Sequence, residues 1–509
     1  MTRVARPLDA LALGLGALAV GIIVTGGWTI AGVPLTRAED VVIPLALVVG
    51  VRAFIHRYRL PHVRAERAVL AGVLIYAALM SFIAVTRHHA LRTHALDLGY
   101  YVQVVWNIAS GHGAWVTLPP MHAWGDHLSP VLYAFAPLAW IWPGAVPLLV
   151  GQTLILAAGG LAVFGLARHR LRDAGVAAAL ALLYLVNPSL HGINIRDIHP
   201  QAFAIALIPA AALAFEKRRY GWCALALGLA LAGREDAAIA GVGFGVWMAV
   251  SRGRWLAGAL VALASIAVLA IDITLLMPYF RGERYPHLKR YAYLGGSFGE
   301  ILGSLVARPW RWLPVAFAPA KLLYLLAMLA PLGFLPLLAP RALAAALPAL
   351  AVNLLSVDPI LFHHRTQYQS FVLPFLVIAA IDGYRWLRAV TGRRRERAAI
   401  SPATVLALAF VVSVVLTSRT VNDLMVTKWM LDADQRGARR LMEQIPPGVP
   451  ASVHERFVPH LATRPEIYVF PFGLPSAEYV LVHASAAGQV PPTYGTIARE
   501  GEWILSKRR

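Results

Sequence analysis

Long apolar runs separated by short polar stretches are the main pattern of this chain. Fourteen runs of roughly 15 to 23 residues can be distinguished, close to the ~20 apolar residues that a helix needs to cross a bilayer. They lie near 8–30, 41–55, 68–86, 128–142, 145–167, 175–190, 201–215, 221–233, 237–250, 256–277, 313–334, 342–356, 369–387 and 400–418. The pattern predicts an all-α polytopic membrane protein.

The basic residues between the runs predict how the chain is oriented. If all fourteen runs crossed, the basic loops at 57–67 and 168–172 would lie on opposite sides. Interpreting 128–142 as an interfacial or re-entrant helix removes this conflict and leaves about 13 crossings. With a cytoplasmic N terminus, the inner segments then hold 22 Lys and Arg and the four short outer loops hold four, as the positive-inside rule requires.

This topology predicts two regions. Residues 1–418 form a transmembrane domain with outer loops at 87–127 and 278–312, and residues 419–509 form a small α/β domain outside the membrane. The tail is expected to contain a helix over 424–445 and strands over 451–454, 467–470 and 479–483.

Composition agrees with a membrane location. The chain is 58% hydrophobic and 14% charged, whereas soluble domains have about 25% charged residues. The net charge of +20 does not indicate a nucleic-acid partner, because the basic residues form short clusters between apolar runs. The expected partner is the lipid bilayer of the cell (plasma) membrane. The single cysteine excludes an internal disulfide.

Ionisable residues collect at the outer ends of the predicted helices. They are Asp97, Asp126, His127, Asp197, His199, Arg234, Glu235, Asp236, His363, His364 and Arg365. Large outer loops contain polar residues in any case, so position alone does not assign a function. Residues 234–236, however, separate two apolar runs with no other polar residue, and charges at a membrane boundary are costly unless paired or lining a wet cavity. The alternative is a structural ion pair of Arg234 with Asp236 or Glu235.

An amphipathic helix is predicted over 96–110, in the plane of the outer interface. Tyr100, Gln103 and Asn107 lie on its polar face, and Asp97 is near its start. Such a helix can be merely an anchor. The acidic start favours function, because a carboxylate near the surface can act as a general base or metal ligand for a lipid-borne substrate.

Several outer residues have the chemistry of metal or phosphate ligands. The pairs Asp126–His127, Asp197–His199 and His363–His364 could hold a divalent metal such as Mg²⁺ or Mn²⁺, although no spacing matches a defined metal motif. Basic residues could bind phosphate or pyrophosphate, and the alternative ligand is an anionic lipid headgroup. These basic residues are Arg234, Arg281, Arg284, Lys289, Arg290 and Arg365.

A series of short motifs in this order resembles one known family, "domain of unknown function 2079". The motifs are Asp97-Leu98-Gly99, Gln103, Trp106-Asn107, Gly111, His127-Leu128-Ser129-Pro130, Asn187-Pro188, Asp197-Ile198-His199-Pro200, Arg234-Glu235-Asp236, Pro459-His460-Leu461 and Arg464. The resemblance runs from about residue 90 to about residue 485. Gln201 departs from it, because the family often has an acidic residue after His-Pro.

The family has no settled activity, but its architecture is similar to GT-C glycosyltransferases, which take a sugar from a polyprenyl-phosphate carrier at the outer face. The resemblance therefore implies a GT-C-like glycosyltransferase that transfers a sugar to an envelope acceptor. Asp97, Asp126 and Asp236 become the candidate catalytic residues, and Asp97 and His127 the candidate metal ligands. The candidate substrate-binding residues are Asn107, His127, Asp197, His199, Arg234, Glu235, His363, His364 and Arg365.

Two other classes of function stay open at this stage. A transporter or lipid flippase would place charges deeper in the membrane, as Asp272 and Asp382 could be. A non-catalytic envelope protein would use the outer domain to bind a partner.

Overall fold

The computed structural model describes residues 2–30, 32–55, 63–283, 285–393 and 401–509, and these are mostly helical. The helices are α1 (Thr2–Thr25), α2 (Glu39–Ile55), α3 (Ala65–His89), α4 (Tyr100–Ala109), α5 (Ala136–Ile141), α6 (Ala145–Leu171), α7 (Ala174–Leu185), α8 (Pro188–Ile195), α9 (Ala204–Glu216), α10 (Tyr220–Leu231), α11 (Ala238–Val246), α12 (Trp255–Ile271), α13 (Met277–Arg281), α14 (Phe298–Ala307), α15 (Pro309–Ala316), α16 (Pro319–Leu329), α17 (Pro340–Leu343), α18 (Leu347–Leu355), α19 (Leu373–Arg393), α20 (Pro402–Val421), α21 (Val426–Trp429), α22 (Ala433–Met442) and α23 (Val458–Leu461).

Within the described residues, five helices are long and apolar enough to cross a membrane, and up to seven spans result if each of two bent pairs is one span. The bent pairs are α7 with α8, at 41°, and α15 with the helix that starts at Pro319, at 55°. The predicted 13 crossings are not confirmed by this measure. Several of the predicted crossings, such as Pro200–Glu216 and Tyr220–Leu231, are helices of 10–17 residues, shorter than a full crossing needs.

Small residues allow the central helices to pack closely around α6. A Cβ on Gly159 would lie 2.2 Å from the Tyr184 hydroxyl, and one on Gly160 would lie 3.2 Å from side-chain atoms of Leu185 and Val73. Glycines at helix contacts are typical of membrane bundles, where close van der Waals packing replaces the hydrophobic effect.

Four charged residues and a tryptophan form a network at one end of this bundle, here named the ionic end. Arg170 and Arg252 each contact both Glu216 and Asp382, with N···O distances of 2.7–3.2 Å. Both guanidinium groups also lie over the ring of Trp247, at 5.5 and 5.0 Å. The C-terminal ends of α6 and α9 and the segment after α11 therefore meet here, so these three helices begin at the opposite end.

The tail forms a five-stranded mixed sheet of order β6-β5-β7-β9-β8. The nine strands of the described chain are β1 (Trp28–Ile30), β2 (Val33–Leu35), β3 (Trp115–Thr117), β4 (Pro120–His122), β5 (Ala451–Val453), β6 (Ile467–Val469), β7 (Tyr479–His483), β8 (Tyr494–Glu500) and β9 (Trp503–Arg508). The three predicted tail strands are confirmed as β5, β6 and β7. The predicted helix over 424–445 is interrupted, because Asp432 and Gln435 form a capping box that starts α22.

The tail and residues 87–127, the predicted outer loop, share one hydrophobic core. Leu98 and Val105 of the loop belong to the same buried cluster as Phe457 and Val458 of the tail. Thr117 Oγ1 also donates to the Ile467 carbonyl at 2.5 Å, which joins β3 to the edge of β6. The amphipathic helix forms as α4 preceded by a π-helical turn over Ala95–Gly99, with both faces largely buried.

Candidate active site

Asp97 lies in the π-helical turn between α3 and α4, where its neighbours are fixed. Leu98 and Gly99 are buried, and a Cβ on Gly99 would lie 2.8 Å from Val458 Cγ1, so only glycine allows the tail to approach this closely. The Asp97 side chain is nevertheless 49% exposed. The backbone is therefore held on both sides while the carboxylate stays accessible.

The side chain of His199 contacts the Asp97 carboxylate. Its Nε2 lies 3.5 Å from Asp97 Oδ1, and its side chain is only 3% exposed. Gln152 holds the loop that carries His199: its amide nitrogen donates to the Asp197 carbonyl at 2.8 Å, and its amide oxygen accepts from the His199 N–H at 2.7 Å. One buried glutamine of α6 thus fixes both ends of the Asp-Ile-His turn.

Asp97 and Asp197 have pKa shifts of opposite sign. Burial raises the pKa of Asp97, but His199, His94 and Arg196 outweigh burial and lower it overall. The pKa of Asp197 is raised by burial and by the charge of Asp97, despite the hydrogen bond that its Oδ2 accepts from the His94 N–H at 3.0 Å. Two neighbouring carboxyl groups with different proton affinities are typical of acid–base sites.

A second group lies where α10 turns into α11. Arg234 donates from Nε to Asp236 Oδ1 at 2.7 Å and from a terminal nitrogen to Oδ2, so the structural ion pair weighed for this motif does form. Glu235 instead contacts His127, with Oε1 3.0 Å from Nδ1, and accepts from the Leu128 N–H at 3.2 Å. Burial raises the pKa of Glu235 and lowers that of His127, but their attraction reverses both shifts.

Tyr101 lies between these two groups. The pKa of its buried hydroxyl is raised by burial and by the negative charges of Asp97, Asp126 and Glu235, while Arg234 lowers it. One hydroxyl on α4 is therefore within electrostatic range of both groups. The structure brings Asp97, Asp126, Glu235 and Arg234 to one region of the molecule.

Three residues near Glu235 could hold a metal ion. Asp126, His127 and His287 offer ligand atoms within 4.8 Å of one another, and the two imidazole rings are parallel, with centroids 4.9 Å apart. His287 Nε2 is buried and has no hydrogen-bond partner among the described residues. Glu235 contacts Nδ1 of His127, the arrangement in which a carboxylate orients a ligating histidine. These residues fit a metal with mixed nitrogen and oxygen donors, and the predicted ligand Asp97 is not in this group.

His363, His364 and Arg365 form a third group. The rings of His363 and His364 stack at 5.2 Å, and burial together with nearby arginines lowers both pKa values. Arg365 donates to the Leu416 carbonyl and to Thr420 Oγ1, both at 3.3 Å, which ties this loop to α20. Arg196 acts electrostatically on His363 and Arg365 as well as on Asp97, so this group lies beside the Asp97 loop.

The remaining sequence candidates have local partners. Asn107 donates to the Trp115 carbonyl at 2.5 Å, and so holds β3 rather than facing Asp97. Arg281 lies 4.0 Å from Asp126, and Arg290 lies 3.3 Å from Asp358. Arg284 lies outside the described residues.

Comparison with known proteins assigns the family. The model of the family described as "Predicted membrane protein (DUF2079)" matches residues 87–490. The chain belongs to this DUF2079 family. A search of curated proteins finds no match.

Three solved structures are similar to this DUF2079 protein. ArnT from Cupriavidus metallidurans bound to undecaprenyl phosphate has 15% identity and a TM-score of 0.52, covering 86% of this chain and 97% of its own. The apo state of the same protein has 14% identity and a TM-score of 0.51, covering 87% of this chain and 98% of its own. The Archaeoglobus fulgidus oligosaccharyltransferase in complex with Zn and sulfate has 13% identity and a TM-score of 0.42, covering 84% of this chain and 71% of its own. The likeness to ArnT shows the fold, so the predicted GT-C-like architecture is confirmed.

The DUF2079 motifs of the tail pack against the Asp97 turn. His460 stacks on His88 at the end of α3, with ring centroids 3.9 Å apart. Arg464 donates to the carbonyls of Leu461 and Val449, both at 2.7 Å. These motif residues shape the loop that carries Asp97, although they are far from it in sequence.

Sequence reasoning missed several residues of this DUF2079 site. Tyr285 contacts Glu235 Oε1 at 3.4 Å, and Tyr368 lies under the guanidinium groups of Arg234 and Arg290. His287 was overlooked because only basic residues were considered in its loop, although the Tyr-Pro-His run at 285–287 was a usable signal. Gln201, next to the His199-Pro200 pair, is buried with both amide atoms unpartnered among the described residues.

Proposed function

We propose that this protein is a GT-C-like glycosyltransferase that moves a sugar from a polyprenyl-phosphate donor to an envelope acceptor at the outer membrane face. The observation that carries the proposal is the Asp97 carboxylate: it is half-exposed, its pKa is lowered, and it lies beside the buried His199. The predicted transmembrane domain at 1–418 and outer domain at 419–509 are retained in this proposal.

Asp97 is the proposed general base. The Asp97 carboxylate is accessible and ionised at neutral pH, so it can accept the proton of an acceptor hydroxyl as the new glycosidic bond forms. The bond between the sugar and the donor phosphate breaks in the same reaction, and the phosphate leaves with the bonding electrons. Asp197 is buried and accepts a hydrogen bond from the His94 N–H, so it would shape the field at Asp97 without reaching the acceptor hydroxyl.

The second group is proposed to stabilise the departing phosphate. Arg234 supplies a fixed positive charge, and Asp236 holds its guanidinium in place, so we assign Asp236 a positioning role. Asp126, His127 and His287 would hold a divalent metal such as Mn²⁺, which would supply further positive charge at the leaving oxygen. His363 and His364 remain candidates for donor binding, whereas Arg365 would fix their loop to α20.

The orientation is part of the same proposal. The N terminus would be cytoplasmic and the tail outside, in the plasma membrane, with about 13 crossings. This is supported by Lys217, Arg218 and Arg219, which are exposed next to the ionic end, as the positive-inside rule expects of the cytoplasmic side. The undecaprenyl phosphate bound to ArnT supports the choice of donor class.

The test replaces Asp97 by Asn. We expect transfer from undecaprenyl-phosphate-linked sugars, measured in membranes with a panel of donors, to fall by about 10²- to 10⁴-fold. The matched control is Asp173→Asn: this carboxylate is similarly exposed, at 41%, but caps α7 away from the site, so activity should be unchanged. Asp97→Asn with full activity, at normal membrane insertion, would remove Asp97 from the mechanism.

Of the two charges that favour the transporter alternative, Asp272 is buried where α12 continues and has no ion pair among the described residues, so only Asp382 loses its weight. Asp382 contacts Arg170 and Arg252 within the ionic end, so it is not a free charge in the membrane. A binding role for the tail alone is likewise not favoured, because its core continues into the loop of Asp97.

A further inference from the structure

A groove opens between α10 and α12 near the ionic end, away from the candidate active site. Its volume is about 370 Å³. The floor consists of Phe215, Phe244 and Met248, and the walls include Cys223, Ala224 and Leu227 from α10 and Ala257 and Val261 from α12. The groove is therefore apolar along its length, and both walls contribute an alanine that is exposed in the described structure.

The mouth of the groove is positively charged. Arg254, directly before α12, lines the groove together with Tyr220, the first residue of α10. Arg219, directly before Tyr220, lines a second depression that shares Tyr220 with the first. Neither arginine has an ion-pair partner in the part of the chain that the structure describes, and the nearby Glu216 is held by Arg170 and Arg252. This charge is left uncompensated by the described residues.

Exposed aromatic rings flank the charged mouth. Tyr220 is 56% exposed, Trp222 is 65% exposed and Trp255 is 64% exposed. Tyrosine and tryptophan concentrate at the level of lipid headgroups, where one end of the ring is apolar and the other is wet. The aromatic rings place the mouth at the interface, and the apolar groove then extends toward the hydrocarbon.

We propose that this groove is a binding site for an anionic phospholipid, with an acyl chain between α10 and α12 and the phosphate at Arg219 and Arg254. Basic pockets between transmembrane helices bind anionic headgroups in this way. A neutral lipid would leave both arginines without a counter-charge, and a soluble anion would leave the groove empty. The site lies at the opposite end of the bundle from Asp97, so the proposal does not depend on the proposed function.

The experiment uses the full chain purified in detergent and compares phosphatidylglycerol with phosphatidylcholine. Binding is measured by native mass spectrometry and by the rise in Tm on titration with each lipid. The wild type should prefer phosphatidylglycerol. The double variant Arg219→Gln/Arg254→Gln should lose about 5-fold in this preference for each arginine, because each basic residue near the headgroup contributes about that factor.

Two further variants separate the groove from general surface charge. Arg341→Gln removes an exposed arginine at the same end of the bundle, in a helix that contacts the Trp247 segment but does not line the groove, and should leave the preference intact. Ala257→Phe fills the groove without changing charge and should reduce binding of both lipids. Because Cys223 is the single cysteine and lines the groove, bound lipid should also slow its alkylation.

Three results would overturn the proposal. One is an unchanged preference in the arginine double variant. Another is an equal loss in Arg341→Gln, which would indicate diffuse electrostatic attraction. The third is unchanged lipid binding and unchanged Cys223 alkylation in Ala257→Phe. Variants are compared only when their lipid-free Tm and gel-filtration profile match the wild type, and Arg219→Lys/Arg254→Lys, which keeps the charge, should restore most of the preference.

Discussion

The charged and polar residues at the two ends of the helix bundle differ in how many of their partners lie within the protein. At the ionic end, each of two arginines forms ion pairs with both of two carboxylates around Trp247. At the other end, Asp97 is accessible, and the ring nitrogens of His199 and the side-chain amide of Gln201 are buried without hydrogen-bond partners among the described residues. Closed networks serve structure, whereas buried polar groups without partners are costly and are retained where a ligand completes them.

The largest effect should come from breaking the closed network. Asp382→Asn leaves two buried arginines with one carboxylate, and removal of one partner of a buried pair costs about 3–5 kcal/mol. We expect a marked fall in Tm of the detergent-purified protein and in the amount inserted in membranes. The control is Asp173→Asn, whose exposed pair with Arg388 should contribute little. Equal stability of both variants would contradict a structural role for the ionic end.

A second prediction concerns metal affinity at the candidate metal group of Asp126, His127 and His287. Glu235→Gln removes the negative charge that orients His127, so Mn²⁺ or Zn²⁺ affinity should fall by about 10- to 100-fold. Equilibrium dialysis of the purified chain measures this directly. His363→Gln, in the neighbouring histidine pair, should leave metal affinity unchanged. If both variants bind metal like the wild type, Asp126, His127 and His287 do not form the site.

The smallest effect concerns the opposite pKa shifts of the neighbouring carboxyl groups of Asp97 and Asp197. Because the pKa of Asp97 is lowered in the folded state, its ionised form stabilises the fold above its ordinary pKa, and this contribution is lost as pH falls through the lowered value. Asp197 has a raised pKa, so its contribution is present at low pH and is lost as pH rises. At pH 7, Asp97→Asn should lower Tm by about a few degrees, and Asp197→Asn should not lower it.

Measuring the Tm of both variants at pH 7 and pH 4 tests whether the two pKa shifts have opposite directions. At pH 4 the difference between the two variants should shrink, because Asp197 is then closer to its neutral form in the wild type as well. A lower Tm for Asp197→Asn than for Asp97→Asn at pH 7 would show that the charges are arranged differently around the two groups.

The sequence predicted the parts of the fold that follow from local pattern. Runs with strict apolar character gave the helical membrane domain, and short β-branched runs gave β5, β6 and β7. It missed β8 and β9, because Tyr494–Glu500 contains polar residues and a bulge between Thr496 and Ala498 that interrupts its alternation. The crossing number also depends on short, proline-bearing helices, whose length alone does not decide whether they span.

The sequence predicted which residues belong to the candidate site better than it predicted which of them contact one another. Helix-end position and the family resemblance indicated Asp97, His199 and residues 234–236, which do lie in one region. Partner choice was not predictable, because Glu235 contacts His127 while Asp236 contacts Arg234, and this depends on how α10 and α11 meet the outer loop. The pairing of His287 with His127 was not predictable for the same reason, since their loops meet only through tertiary folding.

The close approach of Val458 to Gly99 has a consequence for biosynthesis. The turn that presents Asp97 is synthesised long before the surface that supports it, because Val458 follows Gly99 much later in the sequence. A nascent or prematurely terminated chain would therefore insert its helices without holding Asp97 in position. The order of synthesis would thus delay the support of the Asp97 turn until Val458 has been added to the chain.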